Sequence, residues 1–227
     1  EDSLMILWTK IITQWIVPGM ALTTSCIRKG IKQLKRNTVD LFKDYTILSF
    51  LTERQAIDYE YYAAIIKAMY PKNYLNGKEM PAFLEQPFKH IISIENLFKS
   101  ITKRPENIID IVSICFQIPT EEIEPIGIVE FYPVLNFIVS EHQKLIEREN
   151  RILHHEPEVE ELEAGIESLH KFGRMATVDT LAGGDLLKHN LIIEMPYSRV
   201  FTKMYMESEK AKYHKRLFEI RKSKTTT

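Results

Sequence analysis

Apolar residues in this 227-residue chain recur at three- and four-residue spacing in one segment after another. Nowhere does apolar–polar alternation run long enough to demand a strand. That restricts the chain to helices packed on helices. The glycines agree: only 8 occur, fewer than a sheet protein with many tight turns needs. With 44% apolar and 27% charged residues, the composition is that of a globular chain able to bury a sizeable core. The expectation is an all-α multi-helix bundle.

"LMILWTKIITQWIV" (4–17) is the most apolar stretch, and its polar members Thr9, Lys10, Thr13 and Gln14 form one stripe on an otherwise apolar helix. Pro18-Gly19 ends or kinks it. Residues 4–22 approach bilayer-spanning length, and the basic "RKGIKQLKR" (28–36) follows as a cytoplasmic flank would. Lys10 and the Pro-Gly break oppose a membrane span and favour a helix packed in a core or on a partner. A helical pattern continues from Val39 to Tyr70, with Thr52 as an N-cap ahead of "RQAIDYEYYAAIIKAMY". Its tyrosines, Tyr59, Tyr61, Tyr62 and Tyr70, suit a core or an interface better than base stacking, because Arg and Lys are not interleaved with them.

Three prolines and Asn76-Gly77 make 71–88 the clearest loop. It divides an N-terminal helical lobe, 1–70, from a C-terminal helical domain, 89–227. Beyond it, Ser93 is expected to open a short helix and Pro105 to sit in the first turn of another, with Ile108, Ile109, Val112, Cys115 and Phe116 on its apolar face. Thr120 starts a single turn before Pro125. A helix from about Val129 to His154 turns Phe131, Leu135, Ile138 and Val139 inward. "EPEVEELEAGIE" (156–167) reads as one acidic helix face, and 197–222 as a long helix with Tyr197, Phe201, Met204, Tyr205 and Leu217 on one side.

The glycine pair in "TVDTLAGGDLLKHN" (177–190) raises the question of a phosphate cradle. A phosphate loop needs more glycines and a Lys-Ser/Thr at the helix start. Here Asp185 places an anion where the phosphate would sit. Gly183 suits a left-handed helix terminus and Asp185 an N-cap, so the segment reads as a turn. Metal chemistry finds only half a ligand set: Glu167 and His170 form one Glu-x-x-His, while His154-His155-Glu156 point different ways on a helix. Cys26 and Cys115 lie in apolar surroundings without an activating neighbour, as buried free thiols would, and no Gly-x-Ser-x-Gly elbow occurs. No catalytic, cofactor-binding or metal-ligating residue emerges.

Charge asymmetry remains. Residues 156–167 hold six glutamates and no basic residue, whereas "KAKYHKRLFEIRKSK" (210–224) is strongly basic. A basic amphipathic helix binds nucleic acid, membrane surfaces or acidic partners. With a net charge of -1, pairing within the chain or between copies is favoured over nucleic acid. Trp8, Ile12 and Trp15 on the first helix, and Phe201, Met204 and Tyr205 on the last, are the candidate partner-binding anchors.

"LHKFGRMATVDTLAGGDLLKHNLIIEMPYSRVFTKMYMESEKAKYHKRL" resembles the ending of small helical proteins encoded among the tail genes of tailed bacteriophages. The resemblance rests on Phe172-Gly173, then Leu181-Ala182-Gly183-Gly184-Asp185, then Met195-Pro196 ahead of a long amphipathic helix. "NIIDIVSICFQIPTEEIEPIGIVEFYPVLNFI" is similar to the helical repeats of tail-assembly chaperones. The resemblance covers roughly 90–220 and implies a non-enzymatic assembly chaperone or structural adaptor. Its expected partner is a tape-measure or other virion protein, and its expected place is the host cytoplasm or the virion. Residues 1–70 depart from that pattern. A membrane-associated protein anchored by 4–22 and a helical nucleic-acid-binding module using 28–36 and 210–224 are the alternatives.

Overall fold

The computed structural model describes residues 45–52, 69–154, 157 and 159–225. Among them the fold is all-α, with no strand. In chain order the helices are α1 (Ile47–Thr52), α2 (Phe88–Ser100), α3 (Asn107–Phe116), α4 (Thr120–Ile123), α5 (Ile128–Leu153), α6 (Val159–Glu163), α7 (Arg174–Ala182), α8 (His189–Ile193) and α9 (Tyr197–Thr225). 3-10 segments lie at Phe83–Glu85, Ile166–Phe172 and Leu186–Lys188. The chain forms two compact units, one of Glu1–Pro81 with Ile94–Gln143 and one of Ala82–Ser93 with Lys144–Thr227, so the 71–88 segment divides at Pro81.

In the first unit α3 is apolar on most of its circumference, with Ile108, Ile109, Ile111, Val112, Cys115 and Phe116 all buried. Phe131, Leu135 and Ile138 of α5 are buried as their spacing requires, while Val139 is half-buried. The segment before α1 is held by backbone bonds, Ile47 N–H to the Ile126 carbonyl at 2.8 Å and Ile128 N–H to the Tyr45 carbonyl at 3.0 Å. Asn76-Gly77 closes the tight turn expected of it. Both residues have positive φ, 47° and 80°, and Leu75 and Lys78 exchange backbone bonds of 2.9 Å on either side. Pro133 lies inside α5, and its carbonyl accepts the Lys72 N–H at 3.0 Å. Cys115 is buried and free, and burial pushes its thiol above the ordinary range, so it stays uncharged.

In the second unit a backbone bridge fixes where α2 and α9 begin. Phe88 N–H donates to the Met195 carbonyl at 2.9 Å and Tyr197 N–H to the Gln86 carbonyl at 2.8 Å. The rings of Phe88 and Tyr197, both fully buried, stack at 5.2 Å.

Five local expectations are corrected. Ser93 lies within α2, which starts at Phe88, because the tertiary bridge just described, not local capping, sets its first turn. Pro105 precedes α3 in a turn closed by Asn107 N–H to the Arg104 carbonyl, 3.1 Å, instead of lying inside its first turn. Met69 and Tyr70, expected at the end of a helix, are non-helical; Pro71 disfavours helical backbone in the residue before it, and 53–68 lie outside the described residues. Thr52 is itself helical, within α1, where an N-cap would have non-helical backbone, and its hydroxyl donates to the Leu48 carbonyl at 2.8 Å. The acidic segment is not one helix: α6 ends at Glu163, and Gly165, at φ 79° and ψ 37°, turns the chain into the 3-10 segment Ile166–Phe172.

Candidate functional site

The second unit carries a groove of about 520 Å³ between the end of α5, α7 and one side of α9. Leu153, Leu181 and Met204 line it with apolar groups, and Glu149, Arg174 and Glu207 with charged ones. The α7 wall presents Ala176, Thr177, Thr180 and Leu181, residues one helical turn apart or adjacent, so their side chains line one face. Thr180 returns its hydroxyl to the Ala176 carbonyl at 2.9 Å.

Two of the lining residues, Glu149 and Arg174, belong to one polar cluster. Arg174 donates to Glu149 Oε2 at 2.7 Å and to the Tyr197 hydroxyl at 2.9 Å, and the Tyr197 hydroxyl donates to Glu149 Oε1. The Arg174 and Glu149 side chains retain only 17% and 13% of their exposure. Burial, reinforced by the Glu149 carboxylate, raises the Tyr197 phenol well above its ordinary range, with Arg174 acting in the opposite sense. The phenol therefore remains a donor at any ordinary pH. Arg174 also lies 5.6 Å from the Tyr197 ring centre, stacking charge on the ring that Phe88 packs from its other contact.

The turn at Gly183 takes the form expected of it. Gly183, at φ 68° and ψ 31°, ends α7, and Asp185 Oδ1 accepts the Leu187 N–H at 3.0 Å. Its consequence was not legible: the capped turn holds Leu186 and Leu187 in solvent at 75% and 89% exposure.

Of the anchors expected on the last helix, Phe201 is buried beneath the Arg148 guanidinium at 5.1 Å and supports the wall. Met204 is half-buried and lines the groove, and Tyr205 is exposed beside it. Trp8, Ile12 and Trp15 lie outside the described residues, as do the basic segment 28–36, Cys26 and the tyrosines at 59, 61 and 62. The Glu149–Arg174–Tyr197 cluster was missed because its members come from three segments that share no spacing. Glu167 and His170 are both exposed on the 3-10 segment. Among the described residues no group of three or more His, Cys, Asp or Glu gathers as metal ligands would, and no helix is long and apolar enough to cross a membrane.

No family model matches the chain, and no curated protein or solved structure resembles it closely enough to count as a match.

Proposed function

We propose that the chain is a non-enzymatic assembly chaperone or structural adaptor of a phage-like particle, and that it binds a helical segment of a virion protein in the α5–α7–α9 groove. The observation that carries the reading is the groove itself. Its lining is apolar at Leu153, Leu181 and Met204, as the apolar face of a partner helix requires, and charged at Glu149, Arg174 and Glu207. The exposed leucines at 186 and 187 supply further apolar surface on the same unit. Pattern resemblance to tail-assembly chaperones over roughly 90–220 names the partner class, a tape-measure-like or other virion protein.

The test is capture from the chain's own host by the unaltered chain and by Met204→Glu, followed by mass spectrometry. A long helical virion protein retained by the first and lost by the second, with the melting transition unchanged, is the expected result. Equal retention by both chains removes the groove from the account, and capture of unrelated proteins alone removes the particle.

A further inference from the structure

From Thr202 to Lys224 no residue of α9 is buried, although this stretch carries Met206, Tyr213 and Ile220 at 50%, 55% and 52% exposure. A helix advances 100° per residue, so Met206, Tyr213, Leu217 and Ile220 fall within a band of roughly 60°. Their 7-4-3 spacing is that of a coiled-coil seam, with Lys210 between Met206 and Tyr213 and Lys203 one seam position before Met206. Leu217 is less exposed than the other three. The seam lies on a side of α9 other than that of Met204 and Ser208, which line the groove.

Charge along the seam's flank specifies what can cover it. Glu209 and Arg216 are seven residues apart on the same flank, and Arg221 lies on the other. A parallel copy would set Arg216 against Arg221, a like-charge contact. An antiparallel copy turns the Glu209–Arg216 flank against itself in reverse. When Met206 is layered on Leu217 of the second copy, Glu209 meets Arg216 twice, once on each side of the two-fold axis, and Lys210 lies on Tyr213. Glu209 is already held below the usual carboxylate range, first by its hydrogen bond from Lys212, so it is ionised when a second copy arrives.

We infer that the distal half of α9 is a self-association surface, on which a second copy of this chain docks as an antiparallel two-stranded coiled coil over about residues 203–220. This inference concerns a different face from the groove and stands independently of the adaptor reading.

Sedimentation equilibrium of the full chain across a concentration series tests it. A monomer–dimer equilibrium is expected, weakened about tenfold or more by Glu209→Lys and by Arg216→Glu alone. The double variant Glu209→Lys/Arg216→Glu is expected to return to the unaltered affinity, because each copy then presents the reversed pair. All these positions are solvent-exposed, and circular dichroism checks that helicity is kept. A second measurement does not depend on charge: in a Cys26→Ser background, a chain with Met206→Cys should form a disulfide with a chain carrying Leu217→Cys and not with itself. A chain that is monomeric at every concentration, a dimer indifferent to Glu209→Lys, a double variant no better than the single ones, or self-linking through position 206 overturns the inference. Partner capture through Met204 is unaffected by any of these outcomes.

Discussion

Tyr197 is the residue on which the second unit turns. Its ring is stacked on Phe88, its hydroxyl joins Glu149 and Arg174, and its N–H closes the bridge to Gln86. Removing only the hydroxyl leaves packing intact and strands two charged neighbours without one partner. Tyr197→Phe is therefore expected to lower stability by about 1–3 kcal/mol, measured as a shift in denaturant midpoint at constant slope. His90 offers a pH signature at the same scale. Its pKa is lowered from 6.5, chiefly by burial and then by Lys89, with Glu194 opposing, and its Nδ1 is buried with no hydrogen-bond partner among the described residues. A depressed histidine pKa means that the unfolded chain binds the proton first. The contribution is thus complete above pH 6.5 and is lost as pH falls through the lower folded value. His90→Gln should flatten the stability–pH curve in that window relative to the unaltered chain, and a parallel pair of curves would show that His90 has no part in it.

At the scale of elements, helix ends decide what was legible. Gly183 and the Asn76-Gly77 turn could be read because one or two adjacent residues carry the whole backbone requirement. Phe131, Leu135 and Ile138 could be read because helical spacing alone defines a buried face. The start of α2 could not, since the group that satisfies the Phe88 N–H is the carbonyl of Met195, far along the chain. Two helix ends now make opposite predictions. Gln117 closes α3 in left-handed backbone at φ 53°, a position that glycine adopts without strain, so Gln117→Gly should stabilise by about 0.5–1 kcal/mol. Gly183 closes α7 at φ 68°, where an added Cβ would touch nothing within 4 Å. Gly183→Ala should then destabilise by about 1 kcal/mol through backbone strain alone. Thermal melts of the two variants, shifting in opposite directions, check both.

For the whole molecule, the all-α class followed from periodicity, whereas the composition of the units did not. Each unit is assembled from separated stretches of chain, and two of the three divisions fall within α2 and α5. No change of composition marks such a division, because the helix on both sides of it keeps one apolar period. The second unit takes Phe88 and Ile91, both fully buried, from the short stretch Ala82–Ser93. A fragment of 144–227 lacks them, so it is expected to melt broadly, while the same fragment joined to 82–93 through a flexible linker recovers a sharp transition. Scanning calorimetry of the two fragments decides the point, and equally broad transitions would show that Phe88 is dispensable.

That interleaving also orders events on the ribosome. Phe88 emerges more than a hundred residues before Tyr197, the ring it stacks on, and the bridge partner Met195 is equally late. At ordinary synthesis rates this amounts to roughly 5–20 s. During that interval Phe88 lacks the ring it stacks on and the carbonyl that accepts its N–H. A synonymous codon change that slows translation between 94 and 195 would lengthen that interval and lower the soluble yield without altering a single residue.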